Sequence, residues 1–266
     1  MDNENIKTKC ESCSKEPTDR INVARFIAKL DECFKTNDLA AADKLIETWT
    51  NEALTLNDLR GLLSVQNEGL GLYRRTSNYN KAMKTIDLVI WLLDNLKLDN
   101  NVSGATILVN LATTMKAFGK AQEGLKYYAK AEEIYALNGL LTSFEYTALL
   151  NNRASSLDEL NRFNEAEEDL LKAIEILKKD GTHDGEIAVS LINLAHVVYN
   201  RNDKDTARVE QLLDEAWEYI NSPRQPHDSN YAFILSKCAP SLRYFKRVDE
   251  ADAIEAVSKV IYGSKV

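Results

Sequence analysis

The sequence predicts an all-α chain of about six helix–turn–helix units, and three observations predict it. Glycine and proline are scarce, ten Gly and four Pro in 266 residues, or roughly 5% against an average near 12%. No proline stands between Pro17 and Pro223, so helices meet no breaker there and turn-rich, all-β architectures are excluded. The third observation is a period. The small residue that opens each second helix falls at Ala42, Ala82, Gly124, Ala166, Val209 and Ala251, at intervals of 40, 42, 42, 43 and 42.

Each unit reads as two helices around a short polar turn. The first two copies, 26–49 and 63–92, are the weaker ones, with turns at Asn37-Asp38 and Ser77-Asn78. The third, 107–135, turns at Gly119-Lys120. The fourth, 149–177, is the clearest: Leu149, Leu150, Ala154 and Leu157 mark one helical face, Asn161 and Arg162 the turn, and Phe163, Ala166, Leu170, Ala173, Ile174 and Leu177 the next face. The fifth, 191–220, turns at Asn202-Asp203 with two extra residues around 203–208. The sixth, 234–261, carries Pro240 in its first helix, which should kink that helix or open its hydrogen bonding. Asn, Asp, Ser and Gly at these turns suit helix ends that need a left-handed residue or an N-cap. Asn138-Gly139, 181–185 and 221–223 punctuate the loops between units.

Alanine at Ala154, Ala166 and Ala173 lets paired backbones approach while Leu and aromatic residues fill the gaps. One hairpin cannot bury its apolar faces alone, so neighbours must stack into a solenoid with a continuous core. The expected organisation is a tail over 1–19 followed by one repeat domain over 20–266.

Composition narrows the function classes. A net charge of −8 argues against a general nucleic-acid binder. The longest apolar run, Leu88 to Leu93, is too short for a membrane span or a secretory leader. Four cysteines form no disulfide ladder, which points to a reducing, cytoplasmic setting. Cys10 and Cys13 make a lone CxxC. A structural zinc site needs four ligands, and His183, His196 and His227 are scattered, so no metal or cofactor is expected and a redox role for the tail stays open. No phosphate loop or HExxH motif is present, and Glu167, Glu168 and Asp169 read as a solvated outer face rather than an acid–base pair.

The spacing resembles the tetratricopeptide repeat. Leu150, Ala154, Leu157, Asn161, Phe163, Ala166 and Ala173 carry the resemblance in the fourth unit, and Leu108, Leu111, Ala112, Gly119, Gly124, Tyr128 and Ala131 in the third. Tyr73, Tyr79 and Ala82 carry it in the second. The period near 42, with VNLA at 109–112 and INLA at 192–195, is most similar to the longer repeats of the kinesin light chain type. Over about 21–262 the resemblance implies a right-handed α-α superhelix, its sixth unit degenerate and capping, with Ser258 where a second alanine is usual.

The resemblance also implies that first helices line a concave groove. The candidate peptide-binding residues are then Asn67, Arg74, Asn110, Thr113 and Lys116, followed by Asn151, Asn152, Ser155, Asn193, His196 and Tyr199. Asn110, Asn152 and Asn193 occupy equivalent places in successive units. Asparagine is a poor helix-interior residue, so its recurrence needs a reason. Its carboxamide matches the C=O and N–H of an extended peptide, and the resembled family commonly uses such asparagines to clamp a peptide main chain. The alternative is that they bond a neighbouring helix and fix the pitch. Arg74 and Arg75 read either as groove cations or as solvated charges favoured at a helix end. His196 with Tyr199 reads as a polar groove contact, no nucleophile being placed beside it. The expected function is non-catalytic protein or peptide binding, with no nucleic acid or membrane partner. A peptide-responsive regulator of bacterial type and a self-assembling repeat protein are the alternatives.

Overall fold

The computed structural model describes residues 19–98, 100–201 and 205–263. The expectations that rest on Cys10, Cys13, the tail up to 18 and the Asn202-Asp203 turn lie outside them. Twelve helices and no strand occur among the described residues. They are α1 (Val23–Lys35), α2 (Leu39–Thr55), α3 (Leu59–Arg75), α4 (Tyr79–Leu96), α5 (Val102–Ala117), α6 (Ala121–Leu137), α7 (Phe144–Glu159), α8 (Phe163–Asp180), α9 (Asp184–Asn200), α10 (Thr206–Ile220), α11 (Ser229–Tyr244) and α12 (Val248–Gly263). They form the six hairpins that the period predicts.

The chain divides into two compact units, one through Asn138 and one from Gly139. In the first, α1, α3 and α5 each pack on the helix that follows them. First helices also pack on one another, α1 on α3 and α3 on α5, while α2 and α4 lean on the next first helix. In the second unit α7, α9 and α11 are the first helices, each packing on the helix that follows it, with α7 on α9, α9 on α11 and α8 leaning on α9.

Turn chemistry makes the hairpins. Asn37, Ser77, Asn161 and Lys246 take left-handed φ values of 54°, 51°, 58° and 66°, and Gly119 takes 75°. Such a residue stops a helix and lets the next one start within a few positions. Asn57 (φ 57°) performs the same turn between the first two hairpins, where the period is shortest. Asp38, Asp58 and Asn78 then cap α2, α3 and α4 by accepting a backbone N–H.

Close approach explains the small residues. Ala42, Ala82, Ala112, Ala154, Ala166, Ala173 and Ala251 are fully buried. At Gly124 an added Cβ would sit 3.2 Å from the Ala112 carbonyl oxygen and 3.7 Å from the Ala112 Cβ, so α5 and α6 touch backbone to backbone. Leu70, Leu111, Leu170, Tyr128 and Tyr146 fill the space around these contacts. Each buried Leu contributes about 1.5–3 kcal/mol.

One reading of the sequence needs correction. Asp169 is not a solvated carboxylate. It is buried, and Arg153 grips it with Nε and Nη2 both at 2.7 Å, tying α7 to α8. Glu167 is half-buried between Arg201 and Arg208; of the three only Glu168 is exposed. Pro240 was expected to kink its helix or open its hydrogen bonding, and α11 runs through it. Proline lacks an N–H, so one rung of the ladder opens while the helix continues. In the same hairpin Ser258 is buried and donates to the Ala232 carbonyl at 3.0 Å, so its hydroxyl is satisfied where an alanine would have none.

Candidate functional site

The sequence candidates fall on the first helices of both units, and each unit brings its own set together. In the first unit Asn67 and Arg74 stand on α3, and Asn110, Thr113 and Lys116 on α5; all five are half-buried. The Asn110 Nδ2 donates to the Asn67 Oδ1 at 3.0 Å, an amide rung between neighbouring first helices. The Asn67 Nδ2 in turn donates to Glu68 at 3.1 Å. Burial raises the Glu68 carboxyl above the usual carboxylate range, the Asn67 bond opposes this, and Asp31 adds to it. Thr113 donates to its own helix at Val109 and lies 3.0 Å from the Tyr128 hydroxyl.

Arg74 has no carboxylate partner among the described residues. Burial pulls its guanidinium below the usual arginine range, with Tyr128 acting the other way. Arg75 is different. It donates to Asn37 at 2.9 Å and lies over the Phe34 ring at 5.5 Å, so it braces the α1 turn rather than the face.

In the second unit Asn151, Asn152 and Ser155 stand on α7, and Asn193, His196 and Tyr199 on α9. The amide rung recurs, with Asn193 donating to the Asn151 Oδ1 at 3.1 Å. Asn151 uses both of its own N–H groups, on Thr147 O at 3.1 Å and Ser190 Oγ at 2.9 Å. Asn152, expected to be the equivalent of Asn110 and Asn193, joins no rung and donates to Ala148 O on its own helix at 2.8 Å. Ser155 is exposed. The helix-to-helix role weighed for these amides is therefore the geometry of the Asn67–Asn110 and Asn151–Asn193 pairs. Asn110, Asn152 and Asn193 each use one N–H, and among the described residues their remaining N–H and their carbonyl oxygen have no partner.

Around His196 the structure shows more than the sequence suggested. The His196 Nε2 lies 3.0 Å from the Ser241 Oγ, so a hydroxyl does stand beside the imidazole, contrary to expectation. Asp158 is bonded to neither. It accepts from Asn200 at 3.1 and 2.9 Å. Burial holds His196 below its ordinary 6.5 while the Asp158 charge works against the shift. The ring packs on Tyr244 (5.2 Å) and Phe245 (4.7 Å), and Tyr199 meets the same two rings edge-on at 5.8 and 5.6 Å. Ser241 and Phe245 escaped the sequence reading. One follows Pro240 within α11, and the other lies just past the end of α11.

No group of three metal-ligating side chains forms among the described residues, and none of their helices is long and apolar enough to cross a membrane. Burial pushes the Cys238 thiol up to about 12, which leaves it protonated and inert.

Residues 147–179, which span most of α7 and α8, match the tetratricopeptide repeat family model. This is a tetratricopeptide repeat fold. The match falls on the hairpin whose spacing was clearest. The crystal structure of BtubC (BKLC) from P. vanneervenii is similar over 87% of this chain and 92% of that one, with a TM-score of 0.56 at 18% identity. The nearly identical TPR-like repeats from Podosopora anserina, described as kinesin light chain, align over 76% of this chain and 96% of theirs, with a TM-score of 0.53 at 16% identity. A point variant of the same repeats gives a TM-score of 0.54. No curated protein matches the sequence. Tetratricopeptide repeats are scaffolds for protein–protein interaction, typically without catalysis.

Proposed function

We propose that this chain is a non-catalytic scaffold in the cytoplasm whose first helices hold an extended peptide or a partner helix. One observation carries the reading. Asn110, Asn152 and Asn193 stand half-buried on three first helices with a donor and an acceptor unspent, the pair of groups that a peptide unit presents. The rungs to Asn67 and Asn151 hold two of these amides in place, so little side-chain entropy is lost on binding.

A peptide panel against Asn110→Ala, Asn152→Ala and Asn193→Ala, with melting temperature followed in parallel, tests it. The expected outcome is retained folding with weakened binding. Lost stability with unchanged affinity would reject the clamp and leave the amides as helix spacers. A second reading, self-association, rests on Phe233 and Tyr262, 51% and 49% exposed at the last hairpin. Light scattering across concentration tests that one.

A further inference from the structure

In the second unit an acid that no lysine or arginine among the described residues pairs with shares a neighbour, His196, with a group of aromatic rings. Asp158, half-buried at the end of α7, takes both of its hydrogen bonds from the neutral amide of Asn200. Among the described residues no lysine or arginine pairs with it. The arginines that flank the ring cluster in sequence are committed elsewhere. Arg243 binds Asp252 and Glu255 at 2.8 and 3.0 Å, Arg247 binds Asp214 and Glu250 at 2.7 Å, and Arg201 binds Glu167. His196, which feels the Asp158 charge and packs on Tyr244 and Phe245, is held towards its neutral form by burial, so it does not supply the missing charge.

The rings themselves are open. Tyr244 is 55% exposed, and neither its hydroxyl nor that of Tyr199 has a hydrogen-bond partner among the described residues. Tyr199, Tyr244 and Phe245 meet edge to face, with interplanar angles of 84° to 86°. The three rings therefore lie in nearly perpendicular planes. A ring face is negative and attracts cations. A carboxylate in the same neighbourhood, as Asp158 is through His196 and Asn200, adds the partner that a guanidinium pairs with most strongly, while the guanidinium's flat surface stacks on a ring.

We propose that Asp158, Tyr199, Tyr244 and Phe245 form a recognition site for an arginine side chain of the bound polypeptide. The inference rests on the peptide-binding reading above and names the residue that such a peptide presents to the second unit. Arginine is preferred to lysine because both features, the aromatic faces and the two-oxygen acid, suit a planar donor.

The test uses the full chain and a displayed library of random nine-residue peptides. Wild type, Asp158→Asn, Tyr244→Leu and Asn193→Ala are compared, with melting temperatures recorded. Peptides selected on wild type are expected to share an arginine. Replacing it by citrulline, a neutral isostere, should weaken binding roughly tenfold, and Asp158→Asn and Tyr244→Leu should each weaken the arginine peptide by a similar factor without lowering the melting temperature. The citrulline peptide should be indifferent to Asp158→Asn. Selected peptides that carry no shared cation, or that bind Asp158→Asn as well as wild type while losing affinity for Asn193→Ala, would overturn this site and keep the amide clamp. Absence of any selected peptide would overturn both.

Discussion

In the first unit a half-buried charge that lacks an opposite partner among the described residues is a cation, Arg74; in the second it is an anion, Asp158. Both stand on first helices near an amide rung, Asn67 with Asn110 and Asn151 with Asn193. The frame is shared because backbone contact dictates it. Ala112 against Gly124 leaves no room for a larger side chain, and Ala154 and Ala166 are fully buried in the second unit. The outward positions carry no such constraint, so the units diverge where they meet solvent. A half-buried charge without an opposite partner is costly to hold, and the two units carry that cost with opposite signs.

Experiments can break this comparison between frame and face. The largest effect is expected from Arg153→Met, which strips Asp169 of its fork and leaves a buried carboxylate; unfolding in urea should show a loss of about 3 kcal/mol. Gly124→Leu should cost about 2 kcal/mol by the same measurement, because its Cβ alone already crowds the Ala112 carbonyl. Asn193→Ala should cost about 1 kcal/mol through its rung, while Asn152→Ala, bonded only to its own helix, should fall well below that. Equal losses at the two would show that the rung carries no stability. Arg74→Gln should be neutral or stabilising by less than about 1 kcal/mol, since it removes a desolvated charge with no acid partner. A clear loss of melting temperature there would mean that Arg74 is part of the frame.

The smallest effect concerns pH. Burial lowers the His196 imidazole from 6.5, so the unfolded chain takes up the proton first as the pH falls. The stability linked to this group is therefore complete above 6.5 and is lost as pH drops below it towards the lowered value. Melting scans from about pH 7.5 to about 5.5 should show a decline that His196→Gln flattens. An identical decline in the variant would assign the loss to other groups.

The hairpins were legible because their causes are local. A left-handed turn residue, a cap and a small residue at each period write themselves into the sequence. The register between first helices was not. Asn110, Asn152 and Asn193 align in sequence, yet the second unit pairs Asn193 with Asn151, because which of two adjacent amides faces the neighbouring helix depends on rotation about the helix axis. Asp169 was misread for a related reason: its partner Arg153 lies 16 residues away on another helix, and a run of three acids looks solvated until that partner is seen. Ser241 and Phe245 stayed hidden because their contact with His196 depends on how α9 and α11 pack, which spacing along a single helix does not give.

The contacts that close a hairpin join residues near in sequence, 15 apart for Thr113 with Tyr128 and 16 for Arg153 with Asp169. Low contact order of this kind favours rapid formation. The partners of such a contact leave the ribosome close together during synthesis, so the local contacts of a hairpin can close early, while its apolar faces wait for the next hairpin to cover them.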